Sequence, residues 1–63
     1  MFRLGQIVYD VMAEEPCKIT RMHHLPDKIE YHLTYKDKSM RVADVDELLP
    51  ASKHQITQFN NLK

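Results

Sequence analysis

Sixty-three residues make one small domain, and nine Lys plus Arg balance nine Asp plus Glu. A chain this short buries only about 60% of the surface its unfolded form exposes, which disfavours the deep, water-excluded cleft on which most enzymes depend. Zero net charge removes the basic surplus on which binding to nucleic acid without sequence preference relies.

Gly5, the single glycine, precedes a first strand over residues 6–11. Ile7, Tyr9 and Val11 alternate there with Gln6, Val8 and Asp10, the period of a strand. In a small bent barrel the first strand can bury parts of both faces, so Ile7, Val8, Tyr9 and Val11 are all core candidates. Residues 12–16 form an acidic loop. Pro16 lacks an N–H and holds Glu15 extended, so the ladder is expected to stop short of it.

The second strand covers residues 17–23, with Cys17 and Ile19 on one face and Lys18, Thr20 and Met22 on the other. Pro26-Asp27 suits the centre of a type I turn within residues 24–28. The third strand, residues 29–35, has the clearest pattern: Ile29, Tyr31, Leu33 and Tyr35 alternate with Glu30, His32 and Thr34. A polar hairpin loop at 36–39 leads to a fourth strand at 40–42, with Met40 and Val42 on one face.

Asp44 then breaks the alternation. With Glu47 three residues on, it has the spacing of a capping box, and the stretch is long enough for one 3₁₀ turn. A short fifth strand at 48–51 is ended by Pro50. In residues 52–63, Ile56, Phe59 and Leu62 recur every third position behind Ser52 as N-cap. They describe a short helix or tail that packs on the barrel, docks on a partner or frays.

Laid out in this way, the chain resembles the small SH3-like and Tudor-like barrels of bacterial and phage proteins. The resemblance rests on Phe2-Arg3-Leu4-Gly5-Gln6-Ile7-Val8, on Lys18-Ile19-Thr20, on the hairpin from Tyr31 to Ser39, and on Val45-Asp46-Glu47-Leu48-Leu49-Pro50-Ala51. It spans roughly residues 2–51 and implies a mainly β, five-stranded barrel with a binding or scaffolding role. Two departures fall in loops: Glu15-Pro16 replaces the glycine often found before the second strand, and Asp37-Lys38 stands where Asp-Gly is common.

The chemistry-bearing residues support few specific sites. His23, His24, His32 and Cys17 lack the spacing of a zinc site, so no metal or other cofactor is expected. Cys17, a lone cysteine next to a proline, reads as a small buried hydrophobe rather than a nucleophile. With no disulfide and no apolar leader or span, the cytoplasm is the expected compartment and no membrane the expected partner.

Tyr9, Tyr31 and Tyr35 are candidate walls of an aromatic cage, weighed against their ordinary use as core residues. Together with Ile56, Phe59 and Leu62 they are the candidate contacts for a protein partner or a second copy of the chain. Lys18, Arg21, Lys36, Lys38 and Arg41 are the candidate contacts of the alternative, a nucleic-acid-binding accessory domain. A non-enzymatic interaction module, docking through an edge strand or the C-terminal segment, is the leading expectation.

Overall fold

In a computed structural model, which describes residues 2–61, the chain runs through five antiparallel strands. They are β1 (Ile7–Asp10), β2 (Glu15–His24), β3 (Ile29–Thr34), β4 (Met40–Ala43) and β5 (Leu48–Pro50). A 3₁₀ turn at Val45–Glu47 precedes β5, and one helix, α1 (Lys53–Asn60), follows it. The fold is the mainly β architecture expected from the strand pattern, and its strands form one open sheet in the order β4-β3-β2-β1-β5.

The long strand β2 organises the sheet. Glu15 to Lys18 pair with β1, and Lys18 to His24 pair with β3. Between the two, Ile19 lies opposite Leu33 but Arg21 lies opposite His32, so Thr20 is an extra residue at a bulge. A bulge bends its strand and reverses the side-chain parity beyond it. Met22, opposite the buried Tyr31, therefore packs against the core rather than sharing the face of Lys18. The Thr20 hydroxyl is held by the Thr34 hydroxyl at 3.0 Å and by the His32 carbonyl at 3.3 Å.

The curl encloses Val8, Cys17, Ile19, Tyr31, Leu33, Tyr35, Ala43 and Leu48, with Phe2, Met22 and Ile29 packed against them. The Phe2 ring meets the Tyr31 ring edge-on at 5.8 Å. Burying a side chain such as Leu33 contributes about 1.5–3 kcal/mol.

Pro16 lies inside β2, opposite Tyr9, where the ladder was expected to end. Parity explains why it is tolerated. The Ile19 N–H donates to the Gln6 carbonyl and its own carbonyl accepts from Gly5, so Ile19 and, two residues back, Cys17 face β1. The proline nitrogen then faces the other side, where β3 does not begin pairing until Lys18.

Two strands present the opposite face to the one their apolar residues suggest. In β1, Val8 and Asp10 are buried, Ile7 and Tyr9 are half-buried, and the neighbouring Val11 is exposed. In β4, Ala43 is buried and Arg41 half-buried, whereas Met40 and Val42 face water. The capping box at Asp44 does not form: its side chain makes no cap bond, and it reaches Lys28 at 3.6 Å instead.

At α1 the expected cap is present. The Ser52 hydroxyl accepts from the Gln55 N–H at 3.1 Å, and the Gln55 side-chain carbonyl accepts from the Ser52 N–H at 2.9 Å. The helix packs against β1 and β2. Its Ile56 and Phe59 are half-buried but are not among the side chains that pack on the core cluster. Leu62 lies outside the described residues.

Candidate functional site

The sheet reversals of β1 and β4 bring Asp10 and Arg41 together. The Asp10 side chain is fully buried. Its carboxylate accepts from Arg41 Nε at 3.1 Å and Nη2 at 3.2 Å, from the Tyr35 hydroxyl, and from the backbone N–H groups of Met12 at 2.9 Å and Ala13 at 3.2 Å. Arg41 Nη2 also donates to Glu47 Oε1 at 2.9 Å. The cluster thus ties β4 to β1 and to the 3₁₀ turn before β5.

Burial alone would push the Asp10 carboxyl up; the hydrogen bonds from Arg41, Tyr35 and Ala13 outweigh it and hold the carboxyl below its usual range. Burial, with the hydrogen bond to Asp10, pushes the Tyr35 phenol up to about 12. Arg41 is held more firmly protonated than an ordinary arginine, first by its bond to Asp10. Burial likewise raises the Cys17 thiol to about 12, assisted by the negative charge of Asp10 and Glu15. This thiol is a poor nucleophile, because the thiolate is the reactive form. Each group of the cluster is occupied with holding the fold.

The sequence candidates divide accordingly. Tyr31 and Tyr35 are buried in the core cluster, whereas Tyr9 is half-buried on β1 and is not part of it. The three rings do not line a common surface cage. Lys18, Arg21, Lys36 and Lys38 are exposed, but Arg41 turns inward to Asp10 and leaves the basic set. His23 lies opposite Glu30, with its Nδ1 3.5 Å from a carboxylate oxygen, and His32 lies opposite Arg21. A depression of about 290 Å³ on this face is lined by Arg21, Met22, His23 and His32. A second, of about 320 Å³, is lined by Asp27, Lys28, Ile29, Tyr31 and Val45.

The strongest feature for recognition is the β4 edge. The Tyr35 N–H donates to the Ser39 carbonyl at 2.9 Å, which points Tyr35 toward β4. Antiparallel alternation then makes Leu33 and Arg41 face each other within the ladder. It leaves the N–H and C=O of Met40 and Val42 directed away from β3, on the open side of the sheet. The same two residues carry exposed apolar side chains, Met40 at 75% and Val42 at 47% of their full exposure.

Such an edge is a ready template for another strand. The usual protections, an edge proline or an outward-pointing charge, are missing from Met40-Arg41-Val42-Ala43. The other edge, β5, ends in Pro50. The pairing chemistry of β4 was not readable from its apolar pattern, which placed Met40 and Val42 together but could not say that they face water.

Comparison with protein-family models, with curated proteins and with solved structures finds no match to this chain. Among the described residues, no helix is long and apolar enough to cross a membrane.

Proposed function

We propose that this chain is a small, non-enzymatic protein-binding module of the SH3-like kind, which takes up an extended segment of a partner along β4. The observation that carries this reading is the coincidence, at Met40 and Val42, of backbone groups without a ladder partner among the described residues and exposed apolar side chains. Added-strand recognition uses both: backbone bonds supply affinity, and alternate side chains supply specificity.

The state of the interior groups argues in the same direction. The buried carboxylate, phenol and thiol are each committed to the fold, and the perturbed titration of Asp10, Tyr35 and Cys17 follows from burial and mutual bonding. The inert, buried Cys17 suits a reducing compartment such as the cytoplasm. The nucleic-acid alternative is weaker, because Arg41 is withdrawn from the basic face by Asp10.

Selection of displayed peptides on the purified protein tests the reading. Selected peptides should bind the native chain, lose binding to Val42→Pro, and perturb the amide resonances of Met40 and Val42. Proline at 42 removes an N–H on the open side without removing a bond to β3. Peptides that bind equally well to Val42→Pro, or no binders at all, would refute it.

A further inference from the structure

Resting on that reading of the β4 edge, we infer that its occupant is the β4 strand of a second copy of the chain, paired antiparallel about a twofold axis at Arg41. The argument is one of self-complementarity. The chain enters β4 through Lys36 and Lys38 and leaves it through Asp44 and Asp46, all exposed. An antiparallel partner must offer acidic residues opposite the start of β4 and basic residues opposite its end. A second β4 does so, since its end is acidic and its start is basic.

The backbone parity selects one register of this kind. Met40 and Val42 hold the outward-facing N–H and C=O groups, so they must form the hydrogen-bonded pairs. Placing Met40 of one copy opposite Val42 of the other meets that requirement twice. It matches apolar with apolar on the exposed face, and it brings the basic β3–β4 loop of each copy to the acidic 3₁₀ end of the other's β4. The two Arg41 side chains meet on the inner face, each already neutralised by Asp10 and Glu47. Zero net charge places no global repulsion on the pair.

The interface is small. Four residues per strand fall well below the ~1,200–2,000 Å² total area of a stable complex. The dimer is therefore weak, concentration-dependent and loosened by salt, because its charge pairs are exposed.

Sedimentation equilibrium over a concentration series tests this directly. The full chain should pass from monomer toward dimer as concentration rises. Lys38→Asp should raise the midpoint about tenfold, one charge of the basic loop being reversed in each copy, and Lys38→Asp with Asp46→Lys, which leaves the Lys28–Asp44 pair intact, should restore it. The register has its own readout: the double variant Met40→Cys/Val42→Cys should cross-link on oxidation, and Met40→Cys alone should not, since its opposite residue is valine.

A monomer at every concentration overturns the inference. So does a dimer indifferent to Lys38→Asp, or one cross-linked by Met40→Cys alone. If the monomeric chain still selects peptides that need Val42, the binding reading stands and only the occupant is wrong. If it selects none, the binding reading fails too.

Discussion

Replacing Asp10 with Asn removes one charge with almost no change of shape, and the structure sets the cost. Five donors converge on the carboxylate. The amide of Asn turns one accepting oxygen into an NH₂ group that meets donors. Removing one partner of a buried ion pair costs about 3–5 kcal/mol. Here Arg41 retains Glu47, and its side chain is 36% exposed, so solvent recovers part of that loss and about 3 kcal/mol is expected. A 63-residue domain has a total stability of about 3–9 kcal/mol. Asp10→Asn should therefore remove about a third or more of the chain's total stability.

The same substitution has a signature in pH. The Asp10 carboxyl titrates below its ordinary value of 3.8 in the folded chain. The unfolded state then binds more protons than the folded state as pH falls through this range. The contribution is fully present above the unfolded pKa and is lost as pH falls below about 4 through the folded pKa. Urea unfolding followed by circular dichroism at pH 7, 4 and 2.5 measures it. The wild type should lose stability across that series, and Asp10→Asn should lose clearly less, the remainder including exposed Asp37, whose pKa is also lowered by its bonds to Ser39. A loss below about 1 kcal/mol at pH 7, with an unchanged acid profile, would show that the cluster does not stabilise the fold.

Two further outcomes are expected. Lys38 holds φ at +71° in the β3–β4 loop, a conformation that costs an L residue about 1–2 kcal/mol. Lys38→Gly should raise the urea midpoint, the relief exceeding the extra chain entropy of glycine, and a lowered midpoint would contradict this. At the alkaline end the groups are Cys17 and Tyr35, both raised to about 12. Their raised values favour the folded state below the unfolded pKa values, and that contribution fades as pH rises through the folded ones. Stability should fall from about pH 9 upward. Cys17→Ala should flatten the first part of the fall, and native Cys17 should resist a thiol reagent at pH 8 until urea opens the fold.

The legible and the illegible parts of this fold have one physical divider. Where the interior is apolar, alternation marks it: Tyr31, Leu33 and Tyr35 are buried as their spacing suggests, and Ser52 caps its helix with Gln55 as the local chemistry requires. Where the interior holds an ion pair, the same rule turns the strand over. Asp10 in β1 and Arg41 in β4 read as solvent-facing, so Tyr9, Met40 and Val42 read as inward. Both errors come from one contact between residues 31 positions apart, which no local window contains. The bulge at Thr20 is a third case, because it depends on pairing with β3 rather than on composition. Of the candidate contacts, Lys38 reappears beside the β4 edge, whereas the tyrosines serve the core or lie apart from it.

The buried cluster and the open edge are two sides of one strand. Side chains alternate along β4, so holding Arg41 inward on Asp10 and Glu47 turns Met40 and Val42 outward. An arginine free to swing out would lay a hydrated cation along the edge, the device by which exposed strands usually deter pairing. Here Asp10 withdraws that cation and leaves an uncharged, apolar edge with unpaired backbone groups. The charge that stabilises the interior therefore also leaves the exterior fit to pair, so the recognition proposed for β4 is tied to a buried carboxylate on the far side of the strand.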